Sequence, residues 1–328
     1  MLRLFRTNQM LFGLLLVFYA AALRSPLFFV KMPDTRAHFA IAGDLFGLGA
    51  LAGHSWFHLL TIPVLVIHAI AINVMVAEHR LAREVNLFPG LVYLLVCSSL
   101  PEFMTFSAPL LANTLIIVVL WISMSIYKVP TCADRIFNIG FWVAIASWVY
   151  FSHIVFVLLG TIALNIMRSF NIRERLVLFS GLLVPYLLLG VYYFWMGEFG
   201  EFIQRQFIDQ FDFLSFAPQY YWSAYIGWGV MGILLLIALL NSGNYLLKTQ
   251  IQVQKKIGLL FWAMLVAALS ILLQRGVDLT HLLILAVPVS ILISFNLTML
   301  KPRIAEAVHL VAVAAVLVYQ FRALIFTE

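Results

Sequence analysis

Long apolar runs, repeated along almost the whole chain, constrain this sequence more than any motif in it. They fall at roughly 10–30, 56–77, 87–104, 107–127, 137–151, 153–168, 176–195, 223–245, 257–273, 281–299 and 304–325. Each is close to the ~20 residues that cross ~30 Å of hydrocarbon. In lipid every backbone N–H and C=O needs an internal partner, and a helix supplies it within one segment. The runs are continuous rather than alternating, which excludes an outer-membrane barrel. Only 10% of the 328 residues are charged, against 64% hydrophobic. The expected fold is an all-α polytopic membrane protein with about eleven transmembrane segments, one transmembrane domain over residues 1–328.

The N-terminus MLRLFRTNQM, followed by an apolar run, has the look of a signal peptide. No small-residue cleavage site follows and the run continues to Val30, so a retained first helix is expected. Of the two cysteines, Cys97 lies in an apolar segment and Cys132 in a loop, so no disulfide framework is legible.

The joints between segments sort by charge. One side collects 14 of the 20 basic residues, including Arg80, Arg83, Arg168, Arg173, Arg175, Lys255, Lys256, Lys301 and Arg303. The other holds six bases (Arg24, Lys31, Arg36, Arg205, Arg275, Arg322) and nine of the 14 acids, a net charge of 6 − 9 = −3. The positive-inside rule then puts the N-terminus in the cytoplasm and the C-terminus in the periplasm of a bacterial inner membrane. The overall charge of +6 reflects this asymmetry and is no nucleic-acid signal.

Three outward stretches stand out. The first outer loop, 31–55, carries Asp34, His38, Asp44 and His54, with His58 close behind. The stretch 137–168 must leave and return to the cytoplasmic side in about 32 residues, too few for two full crossings. It reads as a short hairpin whose tip, Phe151-Ser152-His153, lies beside a cavity open to the outside. In the outer segment 196–222, Phe199, Ile203, Phe207 and Phe211 make an apolar stripe, and Glu198, Glu201, Arg205, Asp209 and Asp212 a charged one. That pattern predicts an amphipathic helix lying in the membrane interface.

These stretches hold the candidate chemistry. Asp34, behind Pro33, suits a general base or a divalent-cation ligand, and equally a helix cap. Asp44, among glycines, is the second candidate acid or a solvated loop acid. Glu102, after Pro101, lines the same cavity or caps the next helix, and Ser107 and Asn113 open that helix. His54 and His58, four apart on one helical face, make a metal site if joined by His38 or Asp34; interfacial histidines bonded to headgroups or water have the same spacing. Arg275, Asp278 and His281 share a short outer loop in which Arg275 is the only base. A cation there holds a lipid phosphate, or pairs with Asp278.

The order of these features resembles the GT-C class of integral-membrane glycosyltransferases. A crossing is followed by an outer loop with an early acid, then by a segment ending in the Pro101-Glu102 turn. Next comes a short hairpin, Gly140-Phe-Trp-Val-Ala-Ile-Ala-Ser147 with Ser152-His153, and last a loop running into His281-Leu-Leu-Ile-Leu-Ala-Val-Pro288. The resemblance implies a polyprenyl-phosphate-linked sugar as donor at the outer face, for envelope glycan or for protein or lipid glycosylation. It implies Asp34 as catalytic acid residue, Arg275 and His281 at the donor phosphate, and residues 198–213 as a juxtamembrane helix. Asp44 and Glu102 are further candidate catalytic acids, and His38, His54, His58, Asn113 and His153 are candidate substrate-binding residues. A divalent cation is the candidate cofactor, and membrane lipids and the lipid-linked sugar are the expected partners. Asp34 is followed by Thr35 rather than by a second acid. The competing reading is therefore a non-enzymatic subunit or transporter-like component of an envelope assembly or secretion complex. Polar residues gathered at the outer loops, rather than mid-crossing, and the lack of an internal repeat favour the lipid-substrate site.

Overall fold

A computed structural model describes residues 5, 10–29, 39–48, 51, 54–82, 84–213, 222–240 and 250–321. Eleven helices of nine residues or more run through the described chain: α1 Met10–Leu23, α2 Thr61–Glu78, α3 Phe88–Val96, α4 Ala108–Ser125, α5 Ala133–Val149, α6 Val157–Met167, α7 Ile172–Trp195, α8 Trp222–Leu240, α9 Ile251–Leu269, α10 Ala286–Met299 and α11 Pro302–Gln320. No strand occurs among the described residues, only an isolated antiparallel bridge between Phe211 and Gln274. Every apolar segment of the sequence contains one of these helices. Six stretches are long and apolar enough to cross a membrane: Trp56–Glu78, Ala108–Ser125, Ile172–Trp195, Ile251–Leu273, Leu279–Met299 and Pro302–Gln320. Four of the other five helices, α1, α3, α5 and α6, have fewer than 18 residues, so eleven full crossings are not shown.

α10 forms the centre of the bundle. The most apolar 18-residue window of Leu279–Met299 is 89% buried, against 33% for Ile172–Trp195 and 17% for Pro302–Gln320, which lie at the periphery. α5 and α7 cross backbone to backbone. A Cβ on Gly140 would lie 2.1 Å from the Leu178 carbonyl oxygen, and one on Gly181 would lie 2.1 Å from that of Phe137. Small residues at a helix crossing allow this approach, which is how helices in lipid gain van der Waals contact without a hydrophobic driving force between them. At the foot of this seam Arg168 pairs with Glu174 at 2.7 Å and bonds the carbonyl of Val129. Asn171 caps α7 by accepting from the Arg173 N–H at 3.0 Å.

α3 ends early, and buried carbonyls at its end and in the 3-10 turn Pro101–Met104 are met by side chains from elsewhere. Arg24, wholly buried, donates to Cys97 O and Phe103 O, each at 2.8 Å. Gln320 at the end of α11 donates to Ser98 O at 2.7 Å. The last carbonyls of a helix lack intrahelical partners, so these bonds stand in for the missing turns.

The segment after α7 differs from the interfacial helix read in its sequence. Helix persists only over Phe199–Ile203 and then widens into a π-turn over Gln204–Ile208. Phe202 and Gln206 are the buried residues, Ile203 and Phe207 pack partly buried beside Phe202, and Phe199, Ile208 and Phe211 stay exposed. Phe202 stacks on Tyr193 at 5.7 Å and packs with Ile41 and Leu189. The segment is docked on protein.

Candidate functional site

One end of the bundle gathers loops that are far apart in sequence, and Gln206 joins them. Its Oε1 accepts from the Ile41 N–H at 3.3 Å, and its Nε2 donates to Ser147 O at 3.0 Å. Ser147 also shares a short hydrogen bond with the Tyr186 hydroxyl. Nearby the Ala40 N–H donates to Val149 O at 2.9 Å. Gln274 extends the link: its Oε1 accepts from the Ser152 N–H at 3.2 Å, and the Arg275 N–H donates to Gln210 O at 2.9 Å. Residues 39–48, the hairpin tip, the post-α7 segment and the late loop therefore share one surface.

Its floor is a buried polar cluster. Ser270 Oγ donates to Ala267 O at 2.6 Å, so its oxygen is left to accept from His281 Nε2 at 3.1 Å. His281 Nδ1 then accepts from the Tyr150 hydroxyl at 2.9 Å. This network assigns a neutral imidazole with its proton on Nε2. The Tyr150 ring stands between two histidines, 5.6 Å from His281 and 5.7 Å from His153. His153 is fully buried and stacks on Phe156 at 5.6 Å. Both of its ring nitrogens, and Ser152 Oγ beside it, have no hydrogen-bond partner among the described residues. Unpaired buried polar groups are rare in folded chains, and water or a ligand usually satisfies them.

The rim is charged. Arg205 bonds Asp44 at 3.0 Å and Glu201 at 2.9 Å, with all three side chains about half exposed. The hydrogen bond that Arg205 donates to Asp44 raises the already high pKa of the guanidinium. Arg275 is exposed on the same end.

The sequence candidates divide. Asp34 and His38 lie outside the described residues. Asp44 reaches the rim, engaged by Arg205. His153 and His281 meet across Tyr150, and Arg275 follows the Gln274 link, so the hairpin tip and the late loop do come together. Glu102 is half-buried in the 3-10 turn Pro101–Met104, whose end is closed by the Thr105 hydroxyl on Glu102 O at 3.0 Å. His54 is exposed, with its ring 6.3 Å from that of Trp56. His58 Nδ1 accepts from the Phe106 N–H at 3.1 Å, and buried Asn113 donates to Leu283 O at 2.7 Å. Asn113 Oδ1 is buried without a partner among the described residues. Among the described residues no three His, Cys, Asp or Glu are disposed to hold a metal ion.

Sequence reasoning missed Arg24, Gln206 and Gln274. Arg24 read as an ordinary flanking charge. The two glutamines sit in polar loops where an amide gives no signal, and only the folded chain shows each of them bonding two elements. Compared with known proteins, the chain matches no family model, no curated protein and no solved structure.

Proposed function

We propose that this chain is a membrane-embedded transferase that takes a polyprenyl-phosphate-linked sugar at its loop-bearing face, in the manner of the GT-C class. One observation carries the reading: the hairpin tip, where His153 and Ser152 have buried polar atoms unpaired among the described residues, is bonded through Gln274 to the loop that carries exposed Arg275. A sugar donor brings hydroxyls for the floor and a phosphate for the rim. In the reaction an acceptor oxygen attacks the anomeric carbon, and the bond from that carbon to the phosphate oxygen breaks. The acceptor proton passes to the Asp34 carboxylate, and Arg275 stabilises the charge growing on the departing polyprenyl phosphate. The charge asymmetry of the sequence supports a location of this face outside a bacterial inner membrane.

A second reading also has support. His58, Asn113 and His281 are each committed to bonds that hold the fold, as in a non-enzymatic assembly subunit. Transfer of labelled sugar from a polyprenyl-phosphate donor, measured on the full chain in nanodiscs, separates the two. Arg275→Ala and Asp34→Asn are each expected to cut transfer by about 100-fold or more while folding normally. In cells the same variants accumulate the lipid-linked precursor. Unchanged glycans in both variants, with a defect only on deletion of the whole chain, would establish the assembly reading instead.

A further inference from the structure

On the side of the bundle away from the glycine seam, α3, α8, α10 and α11 leave a groove of about 380 Å³ between them. Its walls are almost wholly apolar, with Val92, Val96, Leu234, Leu297, Val308 and Val316 among them. Three polar side chains interrupt this lining. The Ser99 hydroxyl donates to Val96 O at 2.7 Å. Asn296 Nδ2 donates to Ile237 O at 2.7 Å, but its Oδ1 is buried without a partner among the described residues. His309, 1% exposed, has the Tyr19 hydroxyl 3.5 Å from Nε2, while its Nδ1 is buried without a partner among the described residues. A dry apolar groove with an unmet acceptor and an unmet ring nitrogen fits a molecule that is mostly hydrocarbon and carries a hydroxyl.

Charge fixes which end of such a molecule lies where. Leu300 closes one end of the groove, and exposed Lys301 and Arg303 follow it directly. Lys301 is the N-cap of α11 and Pro302 its first residue, so the positive end of that helix adds to the two cations. Asn296 lies about 6 Å in from Leu300 along α10, and His309 about 9 Å in from Arg303 along α11, at 1.5 Å per residue. That is one to two turns below the cations, the depth of the polar backbone beneath a lipid phosphate. From Val308 to Val316 a further ~12 Å of apolar wall continues inward. α10 and α11 both belong to stretches long and apolar enough to span a membrane, and α11 is the least buried of the six. Bilayer lipid is therefore the neighbour of this opening.

We propose that the groove holds one anionic glycerophospholipid with a hydroxylated headgroup. Its phosphate and headgroup hydroxyl sit at Lys301 and Arg303, an ester carbonyl accepts from His309 Nδ1, and one acyl chain lies against α3 and α11. The site shares no residue with the loop-bearing face, so it stands or falls independently of the transferase reading.

The test is lipid binding to the full chain in mild detergent, followed by native mass spectrometry. Phosphatidylglycerol and phosphatidylcholine of identical chains are the probes. The wild type is expected to take up one phosphatidylglycerol at least tenfold more tightly than phosphatidylcholine. Lys301→Gln with Arg303→Gln, both on an exposed turn, should bring phosphatidylglycerol down to the phosphatidylcholine level. Ala312→Phe, which fills the groove, should weaken both lipids about tenfold, with its size-exclusion profile and Tm checked against wild type. Equal binding of the two lipids by the wild type, or an unchanged preference in the charge variant, overturns the proposal. Competition by oleate as effective as that by phosphatidylglycerol would reassign the groove to a fatty acid. A lipid-free dimer broken by Ala312→Phe would reassign it to a second copy of the chain.

Discussion

The α5–α7 seam and the α3–α11 side of the bundle solve the same problem in opposite ways. Both join helices surrounded by apolar material, where burial of hydrocarbon supplies little net drive. At the seam, Gly140 and Gly181 let main chains touch, and no side chain separates Leu178 O from Gly140 or Phe137 O from Gly181. On the other side no such glycine pair closes the gap. The helices there stay apart by a groove of about 380 Å³. Their ends are tied instead by long polar side chains, Arg24 to Cys97 O and Phe103 O and Gln320 to Ser98 O. Close contact makes the seam rigid and intolerant of added atoms. Point ties leave room for a guest while fixing the geometry at the margins.

A single glycine substitution should break that contrast with the largest effect. Gly181→Leu places a Cβ within 2.1 Å of Phe137 O, so α5 and α7 must separate along their length. Overpacking of this kind costs about 1–3 kcal/mol, and more where backbone rather than side chain must move. Loss of most monodisperse protein in size-exclusion chromatography is expected. Gly232→Leu on α8 is the control, because nothing lies within 4 Å of its built Cβ. It should fold like wild type. Equal damage from the two would mean that the seam is no tighter than the rest.

The effect of removing a tie should be smaller. Arg24→Met leaves two buried carbonyls without their donor, each a loss of about 1–3 kcal/mol, offset in part because a buried charge goes with it. A Tm lowered by several degrees, with folded protein still recovered, is the expected outcome in thermal unfolding. Arg24→Lys, with one ammonium in place of a fork, should recover only part of the loss. A variant as stable as wild type would show that α3 needs no cap at its broken end.

Much of the scaffold was legible in the sequence because a crossing demands a minimum apolar length, and that length can be counted. The burial of the 151–153 tip follows from the same count, since a 32-residue excursion cannot reach both surfaces. What could not be counted was face. Phe199, Ile203, Phe207 and Phe211 form an ideal helical stripe, yet Phe202 and Gln206 are the buried residues. Nor does a flanking arginine announce whether it will turn outward to headgroups or inward to carbonyls. For Arg24 the difference is made by the early end of α3, more than seventy residues away. Of the candidate site, the meeting of His153 with His281 and the position of Arg275 beside Gln274 were foreseeable only as loops on one side. The bonds that join them run through glutamines that carry no pattern.

The smallest expected effect is a rate, and it tests whether the foot of the seam is as closed as its middle. Cys132 is the N-cap residue of α5 and is 3% exposed. Burial pushes its thiol pKa up from the ordinary value, and nearby Arg168 offsets only part of that rise. The thiolate is the reactive form, so a raised pKa lowers its fraction at neutral pH, and reaction speeds up as pH climbs toward and past the shifted value. Maleimide labelling at pH 7, followed by peptide mapping to separate Cys132 from the fully buried Cys97, should run at about a tenth or less of the rate in denatured protein. It should rise steeply toward pH 9 without any change in the chromatographic profile. In whatever Gly181→Leu protein survives, the pH 7 rate should move toward the denatured value, because parting α5 from α7 uncovers the α5 N-terminus. Fast labelling of the wild type at pH 7 would place an opening at the foot of the seam, and the two sides of the bundle would then differ in degree rather than in kind.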